Sequence, residues 1–355
     1  MNFDTTLLIL VAALLAALLY GPVYHIFKTL KIVDTPDWRK YNYKAVPLGG
    51  GFLMVLVLLI SVVVSLVLYQ KGVDNELLIL LLGGLALFIM GIIDDLYVMR
   101  ASLKLIVQII VGALTLLGSD ILLNNFHGLF GIYDIGQMGA WMLTLIYLVV
   151  FMNMFNLIDG IDGLATGVAL TALIFVLSAF EMTYDVSLSV FICHLIGVLI
   201  VLYVRNHMPK KMYLGDSGSV TLGYLVGVLV LHNLAISEIT FPVINYIQYG
   251  PVYAMVLFWY PLMDLGRVFV LRLWQRESPF MPDRRHFHHR LVDRGYAHLT
   301  VSLIVVWLTL CLELFSFFLS KFLSVNALFL VMFGLTAMIA YLVFLKPTSE
   351  TDAPD

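Results

Sequence analysis

The sequence predicts an all-α integral membrane protein, a polytopic bundle of about eleven transmembrane helices with the N-terminus outside and the C-terminus in the cytoplasm. Three observations predict it. Of 355 residues, 61% are apolar or aromatic and only 12% are charged, roughly half the charged share of a soluble domain. The apolar residues come in continuous runs of spanning length instead of alternating with period two, which disfavours a barrel. Once the runs are counted as spans, every Lys and Arg except Lys71 and Lys321 falls on one side of the membrane. A soluble enzyme, a nucleic-acid-binding domain and a disordered chain are excluded, because such a surface could not be solvated. The net charge of −3 matters less than this distribution.

The runs follow in order. The first, 5–25, has no Lys or Arg before Lys28, so it lacks the basic head of a signal peptide and is expected to be an uncleaved span. Runs at 51–69, 77–94, 102–118, 139–157, 163–181, 186–204 and 219–237 come next. The run at 250–273 carries charges, and those at 300–320 and 325–345 complete the set. A single transmembrane catalytic domain is expected over 1–347, followed by a polar cytoplasmic tail, 348–355. Segment 119–138 is expected outside as an ordinary polar connection. Cys193 and Cys311 lie within apolar runs, which speaks against a disulfide framework.

The segments assigned to the cytoplasm are dense in polar residues. Asp94 and Asp95 close the third run; two adjacent carboxylates near a low-dielectric boundary are costly without a cation beside them, although a helix end reaching water, with Lys104 nearby, also explains them. Asn156, Asp159 and Asp162 follow the fifth run, with glycines that let a ligand approach the backbone. A tight turn in which Asp162 caps the next helix explains one acid; a multivalent metal or a sugar phosphate explains all three side chains. Asn206, Lys210 and Lys211 precede Gly215-Asp216-Ser217-Gly218-Ser219, where a helix N-terminus beside an acid suits a phosphate and a metal. Arg284, Arg285, His286, His288, His289 and Arg290 concentrate donors for anions; zinc is disfavoured, since no Cys is near and arginines repel a dication. Lys44 belongs to the first loop, whose cations also suit lipid head groups. Asp264 and Arg267, three apart, are read as a pair. Carboxylates, a divalent ion and cationic side chains together suit phosphoryl transfer to a lipid.

The segments GIIDDLY, NLIDGIDGLA, MYLGDSGS and DRRHFHHRL resemble, in order and spacing, those of the polyprenyl-phosphate N-acetylhexosamine-1-phosphate transferases. The resemblance covers nearly the whole chain. It implies a bacterial inner-membrane enzyme, facing the cytoplasm, that moves a sugar 1-phosphate from a UDP-N-acetylhexosamine onto undecaprenyl phosphate with release of UMP. It also implies magnesium, or manganese in its place. By motif, Asp94 and Asp95 would lie at the lipid phosphate, and Asp159 and Asp162 would act with Asn156 and Asn206 at the nucleotide sugar. Asp216 would hold the metal. His286 would be catalytic, and His288, His289, Arg284, Arg285 and Lys44 would bind substrate. The HxHHR form is similar to the branch using UDP-GlcNAc. The first loop departs from the family pattern at Asn42, where His is usual, and at Ala45, where Pro is usual. The expected partners are the two substrates and membrane lipid, without nucleic acid, and with monomer and homodimer both open. A polytopic transporter is the alternative; it predicts polar residues at mid-membrane and repeated half-sequences, and neither stands out.

Overall fold

The computed structural model describes residues 4–34, 45–69, 74–119, 121–183, 186–240, 250–277 and 285–345. Lys44, Arg284 and the expected tail lie outside them. Among the described residues there are thirteen helices and two short hairpins, grouped in two compact units. Eight helices are long and apolar enough to cross a membrane, and two shorter apolar ones accompany them.

The first unit, Met1–Leu123 with Gln137–Thr240, holds α1 (Thr5–Thr29), β1 (Val33–Asp34), β2 (Val46–Pro47), α2 (Gly50–Tyr69), α3 (Asn75–Tyr97), α4 (Ala101–Gly118), α5 (Gly136–Ile158), α6 (Leu164–Thr183), α7 (Val186–Asn206) and α8 (Gly215–Thr240). Asp4 starts α1 by accepting the Leu7 N–H at 3.0 Å, a side-chain N-cap. β1 and β2 pair antiparallel and close the first loop. At the centre runs α8, mostly apolar and buried from Ser217 to Leu234, as expected of a helix without a solvent face. It packs against α2, α3 and α6.

Small residues let these backbones approach, which in lipid replaces the missing hydrophobic drive between helices. A Cβ on Gly91 of α3 would lie 2.3 Å from Ser217 Cα, and one on Gly51 of α2 would lie 2.4 Å from Gly218 N. Both crossings therefore bear on the first turn of α8. Two of the tightest backbone approaches thus lie beside the acidic motifs.

The second unit, Asn124–Gly136 with Phe241–Asp355, contains β3 (Asn125–Leu129), β4 (Ile132–Asp134), α9 (Gly250–Leu257), α10 (Trp259–Trp274), α11 (Phe287–Asp293), α12 (His298–Leu319) and α13 (Val325–Leu345). The expected polar connection is here a β-hairpin. Phe130 and Gly131 at its tip both take positive φ, 55° and 78°, the two-residue turn that matches strand twist. Asn326 latches it, accepting the Phe130 N–H at 2.7 Å and donating to Gly128 O at 3.0 Å. Leu129 enters an apolar cluster with Val252, Trp259, Leu312 and Leu328.

Ten of the eleven expected runs are single helices. The run at 250–273 is broken, because Phe258 leaves helical geometry (φ −127°, ψ 27°) and α10 starts beyond it. Pro261 has no N–H to continue α9, yet is tolerated in the first turn of a new helix.

Candidate functional site

The acid pair ends α3, but its two members have separate partners. Asp94 is buried; its Oδ1 accepts the Met99 N–H at 2.6 Å and its Oδ2 pairs with Lys104. Val98, at φ 51°, turns the chain so that residue 99 comes back to the helix end. Lys104, in the first turn of α4, also donates to Asp216 Oδ2 at 2.7 Å. One ammonium thus bridges two carboxylates from different motifs.

Asp95 caps α8 instead. It accepts the N–H groups of Asp216 at 2.8 Å and Ser217 at 3.1 Å, two of the donors that a helix start leaves unpaired, and its charge suits the positive end of the dipole. Gly215 makes this possible: its φ is +69°, and a Cβ there would lie 2.7 Å from Asp95 Oδ2. The sequence treats Asp94 and Asp95 as one pair, whereas the geometry makes one the Lys104 partner and the other the helix cap.

Asp159 and Asp162 sit in the turn between α5 and α6. Burial pushes the Asp159 carboxyl well above the usual range, and the nearby carboxylates of Asp216, Asp95, Asp162 and Asp34 push the same way. Asp162 Oδ2 accepts from Lys211 at 2.7 Å, and Lys211 also lies over the Tyr213 ring, 5.2 Å from its centroid. Burial, with Asp162 beside it, raises the Tyr213 phenol. Asn156 Oδ1 accepts the Ser219 hydroxyl at 3.4 Å. Asn206 is buried, and its Oδ1 has no hydrogen-bond partner among the described residues, the kind of orphan a ligand satisfies.

The described end of the first loop belongs to this site. Gly50 and Gly51 donate to Tyr213 O (2.8 Å) and Leu214 O (3.0 Å), and Tyr213 donates to Pro47 O (2.9 Å). Asp34, on β1, is close enough to raise Asp159.

In the second unit, His286 precedes α11 and its Nδ1 meets Asp264 Oδ2 at 2.9 Å. Asp264 also accepts the Phe287 N–H at 3.0–3.1 Å and Arg267 at 2.8 Å. His288 is fully buried with Nδ1 3.0 Å from the Tyr260 hydroxyl; burial lowers its imidazole well below the ordinary range, and His289 adds to this. The His288 and His289 rings lie 4.4 Å apart. Arg285 reaches Gln275 and Glu277, so its guanidinium has protein partners where an anion contact is expected.

A divalent cation fits the first unit's donor set. Its carboxylates are hard oxygen ligands and they crowd together with like charge, which a cation would relieve. No three His, Cys, Asp or Glu side chains among the described residues converge to chelate a metal unaided. Magnesium does not require that, since it takes one or two carboxylates, water and substrate phosphates.

Sequence reasoning left Lys104 as a bystander, overlooked Asp34 and Tyr260, and read Asp264 only with Arg267. The lone cation opening an otherwise apolar run was the available signal for Lys104.

The family model for glycosyl transferase family 4 matches residues 77–233, which include the acid pair, the α5–α6 turn and the start of α8. A probable undecaprenyl-phosphate N-acetylglucosaminyl 1-phosphate transferase of Bacillus subtilis (strain 168) is 28% identical over 302 residues, 84% of this chain and 80% of that protein. An undecaprenyl-phosphate alpha-N-acetylglucosaminyl 1-phosphate transferase of Escherichia coli (strain K12) is 25% identical, covering 76% of this chain and 71% of its own. Its counterpart in Salmonella typhi is 26% identical, covering 75% and 70%. The matched segment lies on the acidic site and the relatives align along most of both chains, so the chain is similar to glycosyl transferase family 4 and to these transferases.

Proposed function

We propose that this protein transfers GlcNAc 1-phosphate from UDP-GlcNAc to undecaprenyl phosphate, releasing UMP, as the first lipid-linked step of a cell-envelope polysaccharide. The reaction takes place at the cytoplasmic face of the bacterial inner membrane. The observation that carries the reading is the joining of Asp94, Lys104 and Asp216 at the first turn of α8, inside the segment that matches the family. The names of the relatives supply undecaprenyl phosphate and the N-acetylglucosaminyl 1-phosphate group, and the motif resemblance supplies the uridine diphosphate carrier. The orientation is supported by the one-sided Lys and Arg, and the eleven-span count by the helices found at each run.

The lipid phosphate oxygen attacks the sugar-bearing phosphorus of UDP-GlcNAc in line. One P–O bond forms as the bond to UMP breaks, and no covalent enzyme intermediate is required. A phosphate monoester has its second pKa near ~6, so the nucleophile is largely dianionic at neutral pH and needs little help from a base. What it needs is positioning and neutralised charge. Asp216, with Asp94, would hold magnesium, which supplies charge neutralisation at the diphosphate. Lys104 orients both carboxylates and offers its own charge to the phosphates. Asp159, Asp162, Asn156 and Asn206, whose Oδ1 has no partner among the described residues, bind the nucleotide sugar. By motif, His286, His288 and His289 of the second unit are donors for phosphate oxygens.

The test is UMP release by purified protein supplied with undecaprenyl phosphate and a panel of UDP-sugars. UMP with UDP-GlcNAc, and none when either substrate is omitted, supports the reading. Turnover with UDP-MurNAc-pentapeptide and not UDP-GlcNAc overturns the sugar assignment.

A further inference from the structure

Two histidine rings of the second unit are anchored in the same way by one helix. Tyr260 and Asp264 are four apart on α10, hence one above the other on one face. They meet Nδ1 of His288 at 3.0 Å and Nδ1 of His286 at 2.9 Å. The two histidines are two apart in sequence, and their rings lie parallel to within 3° with centroids 5.5 Å apart. Both anchors are buried, Tyr260 at 5% and Asp264 at 8% exposure. Asp264 is itself held by Arg267 and by the Phe287 N–H, so it cannot swing away without losing those bonds.

With Nδ1 engaged, Nε2 is the nitrogen each ring has left. That of His288 is buried without a hydrogen-bond partner among the described residues, although burying such an atom unsatisfied costs ~1–3 kcal/mol. An orphan of that kind, in a fully buried ring whose other nitrogen is fixed, points to a ligand group. The Asp264 carboxylate is an acceptor only, so Nδ1 of His286 carries a hydrogen. A single helix turn therefore sets the orientation of both rings.

We propose that Tyr260 and Asp264 are positioning residues: by engaging Nδ1 of His288 and His286 they hold both rings with Nε2 turned to one ligand, the diphosphate of the nucleotide sugar. This rests on the transferase reading above. Neither anchor touches substrate; each acts through its histidine. The Asp264 carboxylate keeps a hydrogen on Nδ1, so Nε2 of His286 donates to the diphosphate when the ring carries its second hydrogen, and a carboxamide in place of Asp264 could satisfy only some of the same donors.

The test combines kinetics with nitrogen NMR on the full chain in lipid nanodiscs, using protein labelled with [15N]histidine. Resonances are assigned through His286→Gln and His288→Gln. Asp264→Asn should displace the His286 Nδ1 resonance and leave His288 in place, and Tyr260→Phe should do the reverse. Turnover number should fall ~100-fold in Asp264→Asn and ~10-fold in Tyr260→Phe, with KM for UDP-GlcNAc changed less than about threefold. Tyr260→Phe keeps the ring and its packing, so it remains informative if Asp264→Asn folds poorly. Unchanged resonances and turnover in folded Tyr260→Phe would overturn the proposal, as would lost activity that tracks lost thermal stability with both resonances unmoved. If wild-type protein releases no UMP from any UDP-sugar, the transferase reading fails. The selective Nδ1 shifts still decide whether α10 sets the two rings.

Discussion

Lys104 and Asp216, 112 residues apart in sequence, meet at 2.7 Å, and the same ammonium pairs with Asp94. The contact joins the start of α4, the end of α3 and the start of α8. Each of the three side chains is less than a third exposed, so the charges are only partly screened. Without the cation, two carboxylates would face each other at a half-buried site.

Lys104→Met should therefore cost stability and activity together. Loss of the shared partner is expected to cost about 1–3 kcal/mol, between a surface pair and a buried one. Thermal unfolding should show a lower midpoint that millimolar magnesium partly restores, because the dication replaces the missing charge. An unchanged midpoint would show that Lys104 merely rests on the surface.

Asp159 gives the opposite sign. Burial and four neighbouring carboxylates raise its folded carboxyl above its unfolded value, so folding takes up a proton there. That contribution favours the fold at low pH and is lost as pH rises through the folded titration. At neutral pH without magnesium, Asp159→Asn should melt at a higher temperature than wild type, with a flatter dependence on pH. Turnover should fall by orders of magnitude in the same variant. A lower melting temperature would mean that the Asp159 charge is compensated in the folded protein.

Gly91→Ala tests the crossing beneath the site. The added methyl would sit 2.3 Å from Ser217 Cα, and backbone atoms cannot yield as a side-chain tip can. The helices must separate, and Asp95 then loses its grip on the Asp216 and Ser217 N–H groups. Activity and melting temperature should both drop sharply. Gly21→Ala on α1, where a Cβ meets nothing within 4 Å, should leave both near wild type. Equal behaviour of the two variants would contradict the packing described.

Reporter fusions test orientation. A reporter after Glu277 should be cytoplasmic, and one inserted at the hairpin tip, Gly131, should be external, following the one-sided basic residues. The tip has room, since a Cβ on Gly131 meets nothing within 4 Å. Both reporters on one side would refute the span count.

The helices were legible because a run's length and apolarity alone fix a spanning segment. The break at Phe258 was less so, although Pro261 inside the run was a signal for it. The hairpin was missed because Gly128, Gly131 and the polar residues around them read equally well as a loop. Acidic motifs announced the site through their density. Their partners did not: Lys104 and Asp34 gain meaning only when α4 and β1 are folded beside distant segments. Asp264 was visible as the i,i+3 partner of Arg267, but its bond to His286 spans 22 residues and follows no local period. Local pattern reveals helices and clusters; which charge faces which is decided by packing.

In the proposed reaction a sugar 1-phosphate moves, not a sugar alone. The most direct measurement follows the sugar-linked phosphorus of UDP-GlcNAc, radiolabelled at that position, during turnover with undecaprenyl phosphate and magnesium. The label should enter the lipid fraction in step with unlabelled UMP, one for one, and should stay in UDP-GlcNAc when the lipid is omitted. Label recovered in water-soluble UDP, with the sugar on the lipid, would contradict the account.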